Sequence, residues 1–169
     1  MVTIRAKVVL LGADYTGKTV FYNGEPSDYV PTTSTTCSFT SFTLPSEQHI
    51  KIEFLIHDTP GHLAYNKYYA PLLENPCFVI IFTDLSNRQS LDRCKLLYTS
   101  LPPHCTSCIV ATKSEVNHTI ERDLTKWARD LDITVHRVAE PQPEELSSVK
   151  NVILAKFAAH LVNVYSSQR

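Results

Sequence analysis

The stretch Gly12-Ala13-Asp14-Tyr15-Thr16-Gly17-Lys18-Thr19 decides how this chain folds. It places a glycine four residues ahead of Gly-Lys-Thr, and it follows the apolar run Val8-Val9-Leu10-Leu11, which reads as a buried strand. A loop running from strand to helix can turn its backbone N–H groups inward as an anion nest. Gly12 and Gly17 permit the sharp backbone path and a close approach to phosphate. Lys18 is spaced to reach the β- and γ-phosphates of a nucleotide, and the Thr19 hydroxyl to sit on Mg²⁺. Asp14, Tyr15 and Thr16 complete the candidate loop. The helix that follows adds free N–H donors and a favourable dipole.

Outward from this loop, apolar strand runs alternate with helical periodicity, the signature of an α/β sheet. Strands are expected at Ile4–Leu11, Cys37–Leu44, Ile50–His57, Phe78–Phe82, Cys108–Ala111 and Ile133–Ala139. The second and third are separated only by Pro45-Ser46-Glu47-Gln48, which reads as a turn, so they are expected to pair antiparallel. Phe78–Phe82 is continuously apolar, as a central parallel strand should be. A short helix is expected over Gly17–Asn23, because Gly24, Pro26 and Pro31 interrupt it. Further helices are expected over Ser90–Ser100, ended by Pro102-Pro103, over Thr119–Asp130, and from Pro143 onward, where Val149, Ile153, Phe157 and Leu161 recur at helical spacing.

Composition narrows the class. Of the 169 residues, 43% are hydrophobic and 20% charged, and the net charge is −1, so no global basic field points to nucleic acid. No apolar run approaches the ~20 residues that span a bilayer. The N-terminus lacks a signal-peptide pattern, and the five cysteines, an odd number, favour reduced thiols and a cytoplasmic setting. Cys105-Thr-Ser-Cys108 has zinc-ligand spacing without a second pair, while Cys108 also opens the apolar run Cys-Ile-Val-Ala, as a small buried residue would. The C-terminal Tyr-Ser-Ser-Gln-Arg has no prenylation box, and residue 2 is Val2, so no lipid anchor is expected.

Asp58-Thr59-Pro60-Gly61 stands at the end of the Ile50–His57 strand. It fits the Asp-x-x-Gly element of GTP-binding proteins, in which Asp58 would hold Mg²⁺ through a water and the Gly61 N–H would meet the γ-phosphate. The same four residues also make a good ordinary turn. Between the two motifs lies Val30-Pro31-Thr32-Thr33-Ser34-Thr35-Thr36, from which a threonine could complete the Mg²⁺ shell. Thr32, directly after proline, is the first choice among several.

With Phe82-Thr83-Asp84-Leu85-Ser86-Asn87-Arg88-Gln89-Ser90-Leu91 added to these motifs, the chain resembles the Ras-superfamily small GTPases, and within them the Rab-like members. Ile52–Asp58, Leu73–Cys77 and Ser90–Lys95 are most similar to the Rab-like GTPases of intraflagellar transport. The resemblance implies a single P-loop GTPase domain over residues 1–169. It also implies a six-stranded, mostly parallel sheet with one antiparallel strand and helices on both faces. Its cofactors would be GTP or GDP with Mg²⁺. Its partners would be proteins of a larger assembly, intraflagellar transport subunits in a cilium or flagellum, and residues around 26–36 and 60–70 would be the switch.

The same resemblance exposes departures. Guanine is read in such proteins by Asn/Thr-Lys-x-Asp; here Thr112-Lys113-Ser114-Glu115 stands instead. Lys113 would lie along the base and Glu115 would accept from N1 and N2, one methylene further out. Of the later Ser-Ala-Lys element only Ala139 remains, whose N–H would meet the guanine O6. His62 replaces the glutamine that orients the attacking water, and is the catalytic candidate, against the alternative of a surface histidine. Asp14 and Tyr15 occupy positions that hold small residues in active members. A carboxylate beside a γ-phosphate is unfavourable, and no internal arginine is evident from the sequence to offset that charge, so slow hydrolysis is expected.

Overall fold

The computed structural model describes residues 2–25, 31–43, 50–62, 70–74 and 77–167. The expected turn at 45–48 and much of both expected switch segments lie outside them. The elements run β1 (Val2–Gly12), α1 (Lys18–Asn23), β2 (Thr36–Thr43), β3 (Ile50–Asp58), a 3₁₀ turn (Ala70–Leu73), β4 (Cys77–Asp84), α2 (Arg88–Thr99), β5 (Thr106–Thr112), α3 (His118–Asp130), β6 (Val135–Val138) and α4 (Pro143–Ser167).

Among the described residues the strands form one six-stranded sheet in the order β2-β3-β1-β4-β5-β6. Every pairing is parallel except β2 with β3, where Thr36 faces Asp58 and Thr43 faces Lys51. The fold class therefore matches the sequence expectation, including the one antiparallel strand.

Side chains of the central strands alternate between two cores. Val8, Leu10, Ile80, Phe82 and Val110 point to one face, where they meet Phe21 of α1 and Leu146, Ile153 and Phe157 of α4. Val9, Leu11, Ile81, Ile109 and Ala111 point to the other, against Leu91, Cys94 and Leu97 of α2 and Ile120 and Leu124 of α3. Helices thus cover both faces, which is why these strands are continuously apolar rather than alternating.

Helix α1 has six residues, too few to persist on propensity alone. Tertiary contacts hold it. Phe21 is fully buried and meets Phe82 edge to face, with ring centroids 5.1 Å apart. Lys150 of α4 donates to the Tyr22 carbonyl at 2.9 Å, covering an orphan acceptor at the helix end.

Several boundaries move from those expected, for identifiable reasons. Helix α2 starts at Arg88 because the Asn87 side chain caps it, accepting from Gln89 N at 3.0 Å. Asn117 caps α3 in the same way. The last strand is shorter than the expected Ile133–Ala139. The Ile133 N–H instead donates to Ala128 O at 2.8 Å, completing the turn that leaves α3. Cys108 is buried in β5 and its thiol is pushed up to about 12 by that burial, which favours the small-core-residue reading over the zinc one.

Candidate functional site

Strand order reverses at β1, whose neighbours β3 and β4 carry the chain to opposite sides of the sheet. In open α/β sheets ligands bind beyond the carboxyl ends of the strands at such a point. The sequence motifs fall there: residues 12–19 after β1, 58–61 at the end of β3, 112–115 at the end of β5 and Ala139 after β6.

Gly12 pairs with Phe82 of β4, and a Cβ on it would lie 2.4 Å from the Phe82 carbonyl oxygen. Its φ of +141° adds a second reason for glycine. Gly17 turns at φ +88° as the residue before α1. Thr16 closes the loop on itself, donating to Ala13 O at 2.8 Å. Lys18 is buried, and its ammonium donates to Gly12 O at 3.1 Å and Ala13 O at 2.6 Å. Burial pulls its pKa down to about 8, against the raising effect of the Asp58 and Asp14 charges, with Arg93 adding to the depression. Lys18 is therefore a cation held at a loop whose carbonyls replace only part of its hydration.

Three elements meet beside it. The Thr19 hydroxyl donates to Asp58 Oδ2 at 2.8 Å, and the Thr19 and Thr32 hydroxyl oxygens are 3.1 Å apart. Asp58 is buried, and its Oδ1 has no hydrogen-bond partner among the described residues. Burial raises its carboxyl pKa, opposed by the Thr19 hydrogen bond and the Lys18 charge. A buried carboxylate oxygen left without a partner is costly. Together with two hydroxyls it forms the all-oxygen donor set that suits Mg²⁺, so these residues fit the ion. Thr59 fixes the segment, its hydroxyl donating to Leu10 O at 2.6 Å.

A cavity of about 190 Å³ opens over these groups, lined by Asp14–Val20, Thr32, Gly61 and Pro141. Two of its walls depart from a plain phosphate loop. A methyl on Gly61 would sit 2.5 Å from both the Asp14 N and Oδ1, so the Asp14 carboxyl group lies over the position whose N–H is expected to meet a γ-phosphate. Tyr15 is exposed and takes φ 61°, a left-handed conformation uncommon for a bulky residue. His62 is exposed beside Gly61. A larger cavity of about 840 Å³, against Arg5, Lys7, Leu55 and His57, contains none of the expected residues.

The base-side residues are arranged differently. Thr112 is buried and its hydroxyl donates to Thr83 O at 3.3 Å, tying β5 to β4 beneath Gly17. The Lys113 ammonium is 2.5 Å from Asp84 Oδ2. Glu115 is exposed on the loop between β5 and α3. The Ala139 N–H donates to Glu145 Oε1 at 3.1 Å. None of Lys113, Glu115 and Ala139 lines the 190 Å³ cavity.

Three residues at the site escaped the sequence reading. Asp84 stood in a quoted motif, but its pairing with Lys113 joins the ends of β4 and β5, which sequence separation hides. Glu145 was legible only as an acidic residue in a helix first turn. Arg93 was not singled out: it is buried on α2, and its charge adds to the depression of the Lys18 pKa. Among the described residues, no helix is long and apolar enough to cross a membrane.

Comparison with known proteins agrees with this geometry. The chain is 30% identical over 101 residues to "Intraflagellar transport protein 27 homolog" of Trypanosoma brucei brucei, a match that covers 56% of this chain and 54% of that protein. The chain thus spans about half the length of that relative. The model described as Ras family matches residues 7–160, which cover both nucleotide motifs and all but the ends of the sheet and of α4, and the chain belongs to the Ras family.

Proposed function

We propose that this chain is a guanine-nucleotide-binding assembly subunit of intraflagellar transport, at a cilium or flagellum, with slow hydrolysis of GTP. The observation that carries the nucleotide reading is the meeting of Thr19, Thr32 and Asp58 beside the buried ammonium of Lys18. The transport reading rests on the likeness to the trypanosome protein.

In this reading Lys18 turns from the Gly12 and Ala13 carbonyls to the β- and γ-phosphates. The loop N–H groups and the start of α1 hold the remaining phosphate oxygens. Thr19 and Thr32, and Asp58 through a water, would hold Mg²⁺, which would neutralise phosphate charge. Gly61 presents its N–H to the γ-phosphate. Thr112 braces the loop from below, Lys113 and Glu115 flank the base, and Ala139 lies at its outer edge. His62 orients the attacking water. Asp14 opposes the γ-phosphate by charge, and Tyr15 crowds the approach to it, so the bound state outlasts many encounters with partners.

Extraction of nucleotide from the purified chain, followed by chromatography, tests this. GDP or GTP in near one-to-one amount is expected, and Lys18→Ala should lose it. Protein that folds, carries no nucleotide and takes none up with Mg²⁺ would favour a second reading, a GTPase-fold scaffold without turnover. The packing of Asp14 over Gly61 is the observation on that side.

A further inference from the structure

Where helix α4 crosses the starts of β5 and β6, a cavity of about 150 Å³ opens. Thr106, in its wall, begins β5, and Thr112 ends it, so the cavity lies about 20 Å from the candidate nucleotide site at the ~3.3 Å rise of a parallel strand. Its floor is apolar. Ile153 and Phe157 are buried, and Phe157 stacks on Phe78 with ring centroids 4.1 Å apart. Helical spacing brings Lys156 and His160 to the same side of α4 as that floor. Thr134 and His136 flank the start of β6 and, two residues apart, reach the cavity together from the sheet. Thr106 and Ser107 close it from β5.

These walls carry donors that the fold leaves unused. Among the described residues, none of the side chains of Thr106, Ser107, Thr134, His136, Lys156 and His160 makes a hydrogen bond or an ion pair, and no carboxylate lines the cavity. The Cys108 thiol in the wall is neutral, its pKa pushed up to about 12 by burial. Burial holds the His136 pKa below the ordinary imidazole value, and the nearby Lys156 charge lowers it further. The positive charge of Lys156 thus stands against an imidazole, with no counter-ion among the described residues. An ammonium, two imidazoles and three hydroxyls offer N–H and O–H donors from all three elements. The space holds roughly five waters. That suits a compact group of four oxygens and excludes a whole nucleotide.

We propose that this cavity binds a tetrahedral oxyanion, the phosphate group, anchored by Lys156 and surrounded by the donors of His136, His160 and the three hydroxyls. Charge-assisted hydrogen bonds from the ammonium supply the anchor. The site is separate from the candidate nucleotide site and does not depend on the nucleotide reading. The phosphate is either the free ion or one carried on a phosphorylated side chain of a protein partner, since both present the same oxygens.

The histidine ring resonances of the purified chain, assigned with His136→Asn and His160→Asn, report on the cavity directly. Inorganic phosphate added at constant ionic strength should shift both saturably, with half-saturation at about 1 mM. Lys156→Gln should weaken that binding about tenfold, the loss of one charge-assisted hydrogen bond. Lys156 is exposed, so the variant is expected to fold, and the wild-type titration needs no variant at all. Sulfate keeps its charge between about pH 6 and about pH 8, and it should bind several-fold tighter at the lower pH, where protonated His136 adds a second cation. Capped phosphoserine separates the two sources. Binding as tight as that of inorganic phosphate assigns the site to a partner's side chain, and binding of inorganic phosphate alone assigns it to the free ion. Shifts that chloride reproduces at equal ionic strength, or an affinity unchanged in Lys156→Gln, overturn the proposal. Because the readout is local to the cavity, that failure leaves the nucleotide reading standing.

Discussion

At the ends of β1 and β3, side chains from three segments converge on one point and leave a buried carboxylate oxygen, Asp58 Oδ1, without a partner among the described residues. At the ends of β5 and β6 the corresponding groups have partners of their own: Lys113 has Asp84 and the Ala139 N–H has Glu145. The two regions are thus prepared to different degrees. Where polar groups are buried and incompletely satisfied, a ligand relieves a cost already present in the fold. Where they are satisfied internally, a ligand must displace existing hydrogen bonds, and its net gain shrinks. The expected consequence is affinity that depends strongly on phosphates and metal and weakly on the base.

The largest effect should come from Lys18. Its ammonium would make charge-assisted hydrogen bonds to two phosphates, each worth about 1.5–3 kcal/mol. Lys18→Ala should therefore weaken GDP binding by about 100-fold or more in a fluorescent-nucleotide titration. Affinity equal to wild type would remove the phosphate half of the comparison altogether.

Removal of Mg²⁺ comes next. Chelation should weaken GTP binding by roughly tenfold or more and speed nucleotide release, because Thr19, Thr32 and Asp58 then face phosphate without a cation between them. Stopped-flow release with and without chelator measures this. A release rate indifferent to chelator would show that the three oxygen groups are a structural cluster.

Turnover tests the wall over Gly61. Single-turnover hydrolysis by the unaided chain should fall well below the ~1–1,000 per second of ordinary enzymes. Replacing Asp14 and Tyr15 with glycine should raise it by about tenfold, from lost repulsion and a cleared approach. His62→Ala should lower the rate that remains. A wild-type rate of several per second would contradict the role given to Asp14.

The smallest effect belongs to the base. Glu115→Asp restores the shorter acceptor and should improve discrimination of GTP over ATP by a few-fold, within the range of a single hydrogen bond. Excess ATP against labelled GDP reads it. A gain as large as the Lys18 loss would erase the asymmetry between the two regions.

How much of this was legible in the chain varies by kind of signal. The loop at residues 12–19 reads directly because it lies between adjacent elements and depends on local backbone geometry. The strands of β1, β4 and β5 read from apolar runs, since burial on both faces leaves no polar positions. Thr32 was the first choice among its neighbouring threonines only for its place after proline; spacing did not show that its hydroxyl lies 3.1 Å from that of Thr19. The start of β6 was misplaced because the backbone of Ile133, which periodicity assigns to a strand, bonds to the preceding helix instead.

By itself, then, the order of residues determined the strand-loop-helix unit at Gly12–Thr19, the alternation of strands and helices and the antiparallel second strand. Each follows from local conformational preference or from the period of apolar side chains. Tertiary structure alone decided which distant side chains bond to each other: the Thr19 hydroxyl to Asp58 and the Lys113 ammonium to Asp84. Pairs brought together by the sheet leave no local trace, because the stacking of parallel strands, and not chain proximity, sets their separation.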